Sequence, residues 1–318
     1  MKIQIPDDFD PEKIIRSGQC FRASAQPDGS FHFITGKNTL SLSPLGTDTW
    51  EADCTPYAWK RVWAPYFDLS VSYKSLRRSI PAKDHFLRAA AEYGKGIRIL
   101  RQDPFEMLIT FIISQRKSIP AIRSSVEKLC LAAGKEITKN GRTFYTFPSP
   151  SALGKLSVNE LKNCSLGYRA AYIHATARMI AREKISFAKM ETLSDKELTE
   201  KLLLFPGAGI KVVNCISLFA YHRTAAAPVD VWIGRVIQKY YGGVSPFPSY
   251  GHAAGIFQQY MFFYAQAKKL KEKPTGIAGG SSYAAQGPIL PAARLRACGL
   301  FTCILLLATR KRVFKIQC

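Results

Sequence analysis

The strongest constraint on the fold is a change of hydrophobic pattern near Asp103, after which apolar residues recur at helical spacing almost throughout. Asp103-Pro104 opens the first helix of this half, because Asp can cap a helix and Pro fits its first turn. Loops that contain Pro and Gly separate the helices that follow. The pattern predicts these helices at about 119–132, 157–163, 167–183, 194–203, 211–222, 231–241 and 251–268.

The first hundred residues combine strand and helix signals. Residues 31–35 and 39–42 alternate apolar and polar side chains on either side of Gly36-Lys37-Asn38, which is typical of an antiparallel hairpin. Residues 83–93 have a helical pattern. We therefore predict an α+β protein, with an N-terminal antiparallel β-sheet domain over 1–102 and an all-α domain over 103–267. An aromatic cluster is assigned to the core: Tyr57, Trp59, Trp63, Tyr66 and Phe67.

The chain is strongly basic, with a formal net charge of +22 over 318 residues. Residues 268–318 hold ten Lys and Arg against one acidic residue and lack an amphipathic pattern, which predicts a basic, poorly ordered tail. The rest of the chain is basic in its own right. Such an excess indicates a polyanionic partner, nucleic acid first, with an anionic membrane surface as the alternative.

The cysteines and the terminal sequence argue against several other classes. The eight cysteines include no C-x-x-C pair, and no His cluster has zinc-ligand spacing, so we expect no structural metal. The first residues lack the basic-then-apolar pattern of a signal peptide, and the longest apolar run, about 297–308, is too short to span a bilayer. Free thiols in a reducing compartment are therefore expected.

The segment that carries chemistry is the turn Pro206-Gly207-Ala208-Gly209, between two apolar helical stretches. Its glycines permit a tight turn and a close approach of the backbone to a phosphate. The following helix presents unpaired N–H groups and a positive dipole end, which suit an anion. These features favour a helix-hairpin-helix that binds the DNA backbone. A plain corner between two helices is the alternative.

Lys211 and Asp230 indicate that the chain also catalyses a reaction beside this hairpin. Lys211 lies in the first turn of the second helix, where the dipole disfavours its charge, and a neutral amine is a competent nucleophile for a sugar carbon. Asp230, 19 residues further on, precedes a predicted helix, and a return of the chain after one helix brings it beside Lys211. Its carboxylate can there shuttle a proton or stabilise a positive charge. The alternatives are a phosphate-binding lysine and a simple helix N-cap.

Six motifs, taken together and in order, resemble the 8-oxoguanine DNA glycosylase/AP lyase family of the helix-hairpin-helix superfamily. The resemblance spans about residues 17–266. Its motifs are Ser17-Gly18-Gln19-Cys20-Phe21-Arg22, Arg101-Gln102-Asp103-Pro104-Phe105-Glu106, Leu166-Gly167-Tyr168-Arg169-Ala170, the glycine hairpin, Pro228-Val229-Asp230-Val231 and Ala254-Gly255-Ile256-Phe257-Gln258.

The resemblance implies roles for particular residues and implies that no cofactor is needed. Lys211 would be the Schiff-base nucleophile and Asp230 the catalytic carboxylate. Gly18 would offer its carbonyl to the N7–H that the oxidised purine has and guanine lacks. The other implied contacts are Gln258 at the Watson–Crick edge of the base, Cys215 and Phe262 on its two faces, Tyr168 as a wedge in the duplex, Arg169 beside the orphaned cytosine, and Gly207 and Gly209 at the DNA backbone.

Three positions depart from the family pattern. Arg116 stands where the family usually has an asparagine near the orphaned cytosine, and Ala121 stands where an arginine would read that cytosine. Both changes put strict selection of cytosine as the opposite base in doubt. Trp232 replaces a histidine that would approach the DNA backbone, which changes a contact but not the lysine chemistry.

We therefore predict a bifunctional enzyme that flips out and excises 8-oxoguanine from duplex DNA and nicks the abasic strand by β-elimination. One alternative is a monofunctional alkylbase glycosylase, which uses water and needs no lysine at this place. The other is a non-catalytic helix-hairpin-helix DNA-binding module. A monomer is expected, in the cytoplasm of a prokaryote or the nucleus of a eukaryote.

Overall fold

The computed structural model describes residues 1–139 and 141–270, in which an antiparallel sheet precedes a helical layer. The predicted α+β class is confirmed. Residues 271–318, which hold most of the predicted basic tail, lie outside the described residues. Within the described ranges, no helix is long and apolar enough to cross a membrane.

Five strands form the N-terminal sheet in the order β1-β5-β4-β3-β2, with every neighbouring pair antiparallel. The predicted hairpin is confirmed, since β3 and β4 pair directly and Gly36 turns the chain at φ +54°. Phe33, Leu40 and Leu42 are fully buried on the inner face. The strands are β1 (Lys2–Gln4), β2 (Ala23–Ala25), β3 (Phe31–Thr35), β4 (Asn38–Gly46) and β5 (Thr49–Ala52).

Short helices lie between and after these strands along the chain. In the predicted aromatic core, Trp63, Tyr66 and Phe67 are buried. The assignment of Tyr57 to that core was wrong, because no residue of its short helix is buried and Tyr57 lies at the surface. These helices are α1 (Pro11–Arg16), α2 (Pro56–Ala58), a π-helical turn (Trp59–Trp63), α3 (Ala64–Tyr66), α4 (Tyr73–Arg78) and α5 (His85–Tyr93).

The chain after Asp103 is helical with one exception. Asp103 caps the first of these helices as predicted, accepting a hydrogen bond from Glu106 N at 2.8 Å. The helix predicted over 211–222 ends earlier, and His222 then turns the chain at φ +53°. The helices are α6 (Pro104–Ser114), α7 (Ile119–Ala133), α8 (Pro150–Lys155), α9 (Val158–Asn163), α10 (Arg169–Glu183), α11 (Phe187–Met190), α12 (Asp195–Leu203), α13 (Ile210–Phe219), α14 (Val231–Tyr240) and α15 (Ala254–Ala267), with a 3₁₀ segment (Phe247–Ala253) before the last.

The exception is a two-stranded hairpin, β6 (Glu136–Lys139) and β7 (Arg142–Tyr145), which the helical pattern did not predict. Contacts remote in sequence stabilise it. Lys139 Nζ donates to the carbonyl of Thr39 at 2.9 Å, and the ring of Phe144 stacks on His32 with 4.6 Å between ring centres. The hairpin is therefore fastened to the N-terminal sheet.

Two hydrophobic cores support these elements. One lies against the sheet and includes Phe33, Trp63 and Phe67. The other unites the helices after Asp103 with α4 and α5, which contribute Tyr73 and Leu87. Helices that precede residue 103 thus pack into the helical core, and the predicted domain boundary after residue 102 stays a prediction.

Candidate active site

The turn between α12 and α13 has a shape that requires glycine at one of its two glycine positions. Gly207 has φ +85°, and a Cβ built on it would lie 2.9 Å from the Cβ of Tyr172. Gly209 has φ −78° and caps α13, and nothing lies within 4 Å of a Cβ built on it. Gln115 Nε2 donates to the carbonyl of Gly207 at 3.0 Å. The turn is thus tight at Gly207 and leaves open backbone at the start of α13.

Lys211 lies in the first turn of α13 and is half-buried. Its Nζ stands 5.7 Å from the ring centre of Phe111. Cys215, one turn further along, is buried, and desolvation raises the pKa of its thiol to about 11 although the charge of Lys211 acts in the opposite direction. The thiol is therefore neutral near pH 7, and the amine of Lys211 lies near both the Phe111 ring and the Cys215 thiol.

Asp230 is the N-cap of α14, as the sequence predicted, and its Oδ1 accepts a hydrogen bond from Ile233 N at 2.9 Å. Burial raises the pKa of this carboxyl, while the backbone hydrogen bond from Ile233 and the positive charge of Lys211 oppose that rise. The structure therefore brings the amine and a desolvated carboxyl within electrostatic range of each other. Both groups start a helix, where the local sequence fixes their position.

A second group of predicted residues comes from the two ends of the described chain. Gly18 has φ +76°, and a Cβ built on it would lie 3.1 Å from Ile119 and 3.2 Å from Phe262. Gln258, one turn before Phe262 on α15, is 4% exposed, and its Oε1 has no hydrogen-bond partner among the described residues. A buried amide oxygen without a partner is costly, so this oxygen is suited to a donor on a bound molecule.

Phe111, on α6, joins these two groups of residues. Its ring stacks on Phe219 of α13, with 5.5 Å between ring centres, and meets Phe21 edge-on at 6.3 Å. Phe21 follows Gly18 by three residues, and the Nζ of Lys211 lies 5.7 Å from the ring centre of Phe111. The rings of Phe21, Phe111 and Phe219 therefore connect the turn that carries Gly18 with the helix that carries Lys211.

The residues predicted to enter or face the duplex differ in exposure. Tyr168 is 55% exposed, as a wedge requires. Arg169 is buried, donates to the carbonyl of Gln115 and stacks over the ring of Tyr168 at 4.4 Å, so its guanidinium points inward in this structure. Arg116 is exposed and has φ +52°, an uncommon conformation for a residue with a side chain.

Lys117 is a cation in this region that sequence reasoning missed, although it lies beside Arg116 in a basic pair. Its Nζ donates to Ser125 Oγ at 2.6 Å and to the carbonyl of Ser165. Burial lowers the pKa of Lys117, and the charges of Arg169 and Lys128 lower it further. Several cations thus gather near Tyr168, an arrangement suited to a phosphate.

The remaining predicted positions lie on α7 and α14. Ala121 is exposed on α7, so an arginine would have room there. Trp232 is half-buried and its ring lies under the guanidinium of Arg235 at 5.2 Å. Contact of these positions with DNA stays a prediction. Across residues 1–139 and 141–270, no group of three or more His, Cys, Asp or Glu is placed to hold a metal ion.

Two segments of the chain match families of known proteins. Residues 109–257 match the HhH-GPD superfamily of base excision DNA repair proteins. Residues 2–108 match a family described as the N-terminal domain of 8-oxoguanine DNA glycosylase. The chain therefore belongs to the 8-oxoguanine DNA glycosylase family.

Individual relatives agree with this assignment. A protein of Methanothermobacter thermautotrophicus named "Probable N-glycosylase/DNA lyase" is 33% identical over 220 residues, which are 60% of this chain and 70% of that protein. The N-glycosylase/DNA lyase of Saccharomyces cerevisiae is 33% identical over 193 residues, 55% of this chain and 50% of its own length. The structure of Clostridium acetobutylicum 8-oxoguanine glycosylase/lyase, in complex with DNA containing cytosine opposite 8-oxoguanine, is similar with a TM-score of 0.77 at 30% identity, covering 85% of this chain and 99% of that one.

Proposed function

We propose that this protein excises 8-oxoguanine from duplex DNA and then cleaves the abasic strand, with Lys211 as the nucleophile. The observation that carries this proposal is the position of Lys211, in the first turn of α13, within electrostatic range of the half-buried, desolvated carboxyl of Asp230. An amine that is to attack a sugar carbon must lose its proton, and a nearby carboxylate can accept or guide that proton.

The reaction proceeds in two stages. The Lys211 amine forms a bond to C1′ of the damaged nucleotide as the N-glycosidic bond breaks and the base leaves with the bonding electrons. Opening of the sugar ring converts the adduct to a protonated Schiff base, which acidifies the C2′ protons. Loss of one of them expels the 3′ phosphate by β-elimination, and water later releases the lysine. Asp230 stabilises the positive charge that develops on the sugar in the first stage.

Recognition of the base is assigned to the residues around Gly18. The Gly18 carbonyl would accept the N7–H of 8-oxoguanine, whereas N7 of guanine is itself an acceptor and would oppose it. An unpaired buried acceptor costs about 1–3 kcal/mol. Gln258 would bond the Watson–Crick edge through its unpartnered amide oxygen and neighbouring nitrogen, and the base would lie between Cys215 and Phe262.

The duplex must release the base before this site can hold it, at a cost of a few kcal/mol. Tyr168 would fill the vacated stack, and the backbone amides at the start of α13, beside Gly209, would bind a phosphate. All these groups come from one chain, so we expect a monomer to be active. We expect it in the compartment that holds the DNA.

Two alternatives are less well supported. A monofunctional alkylbase glycosylase uses water as its nucleophile, so it would not require a lysine at position 211. A non-catalytic binding module accounts for Asp230 as the cap of α14, but it gives no role to a carboxyl within electrostatic range of that lysine.

Borohydride trapping tests the proposal, because it reduces a Schiff base to a stable covalent complex. We expect trapping with duplexes that contain 8-oxoguanine, and its loss in Lys211→Gln with binding to undamaged duplex retained. Lys189→Gln, a change of an exposed lysine on α11, serves as the matched control and should trap as well as the wild type. Full trapping by Lys211→Gln would show that another amine is the nucleophile.

A further inference from the structure

Three buried amide side chains surround the turn that carries Gly18, and the reaction described above does not use them. Gln19 is 0% exposed, Gln102 8% and Gln259 3%. Burying an amide is unfavourable unless its polar atoms are hydrogen-bonded. These three are bonded, and their partners lie on both sides of Gly18.

Ser17, the residue before Gly18, is held both through its carbonyl and through its side-chain hydroxyl. Gln259 Nε2 donates to the carbonyl of Ser17 at 2.5 Å. Gln19 Nε2 donates to Ser17 Oγ at 2.9 Å and to the carbonyl of Arg98 at 2.9 Å, and Gln19 Oε1 accepts from Leu100 N at 2.8 Å. The side chain of Gln259 on α15 and that of Gln19, which is itself bonded to the backbone before α6, thus fix the orientation of Ser17.

The peptide group after Gln19 is held in the same way. Gln102 Nε2 donates to the carbonyl of Gln19 at 2.9 Å. Between these two fastened carbonyls lies that of Gly18, which accepts no hydrogen bond from the described residues. Glycine at φ +76° has more conformational freedom than any other residue, so an unrestrained Gly18 carbonyl would sample many directions.

We propose that Gln259 and Gln102 are positioning residues that fix the direction of the Gly18 carbonyl and so set the selection for a base with an N7–H. The inference rests on the proposed function. A hydrogen bond weakens steeply as its angle departs from linear, so a carbonyl free to rotate would lose both its attraction for N7–H and its repulsion of a bare N7. Gln258 and Gln259, adjacent on α15, would then serve the same base, one by direct contact and the other through Ser17.

Gln259→Met tests this role, because it keeps the length of the side chain and removes the donor. Two duplexes are compared, one with 8-oxoguanine and one with a preformed abasic site, which has no base to recognise. Single-turnover excision of 8-oxoguanine should fall about tenfold or more, while cleavage at the abasic site should change by less than about twofold. Gln102→Met, at the other end of the turn, should give the same selective loss.

Tyr260→Phe is the matched control on α15. Its hydroxyl is buried without a hydrogen-bond partner in the described part of the chain, so its removal should leave both activities unchanged. Abasic-site cleavage also measures how much of each variant is folded. Equal losses on the two duplexes, or no loss on either, would overturn the positioning role. A wild-type protein that cleaves abasic DNA but leaves 8-oxoguanine in place would instead overturn the proposed function, and the inference with it.

Discussion

Burial of the Asp230 carboxyl determines the pH range in which this residue is charged. Desolvation raises the pKa of its carboxyl, and the charge of Lys211 offsets part of that rise. The charged form is the one that stabilises a cationic sugar. Excision should therefore occur at pH values above the raised pKa and be lost as the pH falls through it. Because the pKa is raised, this loss should occur at a higher pH than the pKa of a free Asp, about 3.9.

Asp230→Asn separates this charge from the capping role. Asn caps a helix about as well as Asp, so α14 should keep its start and the fold its stability. We expect single-turnover excision to fall by roughly 10²-fold or more, and the acidic limb of its pH profile to disappear. Asp103→Asn changes the cap of α6 in the same way and should keep both the rate and the limb. An unchanged acidic limb in Asp230→Asn would assign the titration to another group.

Some of the site could be predicted because helix starts are fixed by local sequence. Lys211 follows a glycine turn and Asp230 is an N-cap, so both positions follow from a few neighbouring residues. The inward turn of Arg169 depends on a carbonyl 54 residues away, and the bond from Gln259 to Ser17 spans 242 residues. Neither has a signal in the local sequence. The roles of these residues in the reaction stay predictions.

Alanine substitution of the two glycines in the turn between α12 and α13 tests how strictly that turn requires glycine. Gly207→Ala places a Cβ in left-handed backbone and 2.9 Å from Tyr172, whereas Gly209→Ala places one in open space at φ −78°. The left-handed conformation alone costs about 1–2 kcal/mol. Gly207→Ala should lower the free energy of unfolding by at least that amount.

Denaturant unfolding of both variants measures the difference. Gly209→Ala loses a modest cap preference and should lower the free energy of unfolding by less than about 1 kcal/mol. Equal losses in the two variants would mean that the turn relaxes around a side chain at Gly207. Unfolding is measured without DNA, because a methyl group at Gly209 could also meet a bound phosphate.

Most helices after Asp103 were predicted, whereas the short helices α8 and α11 and the β6–β7 hairpin were not. Long amphipathic helices such as α7 and α10 repeat their pattern over several turns, and the structure confirms them. The β6–β7 hairpin has two strands of four residues each, too short for a periodic signal. Asn140-Gly141 is a strong hairpin-turn sequence, and Gly141 has φ +71°, so the turn chemistry could have revealed the hairpin.

The candidate active site contains residues from both the N-terminal sheet part and the helical part of the molecule. Gly18 lies between α1 and β2, and Lys211 and Asp230 belong to the helical layer. A DNA duplex that reaches both parts must also overcome its own counterion atmosphere, and the net charge of +22 favours that step. Part of this charge lies far along the sequence from the site, since residues 274–318 contain six Lys and Arg and no acidic residue.

Removal of residues 274–318 tests how that charge is used. Each phosphate that the protein no longer neutralises reduces the slope of log K against log salt by about 0.9, so binding to undamaged duplex should become less salt-dependent in the shortened protein. Excision of 8-oxoguanine should persist, because Gly18, Lys211, Asp230 and Gln258 all precede the cut. Titrations at several salt concentrations give the slope, and single-turnover assays at low salt give the rate. An unchanged slope would show that these cations do not meet DNA. A folded, shortened protein that binds but cannot excise would place part of the active site in the removed segment, since a reduced charge alone weakens binding without affecting the bound complex.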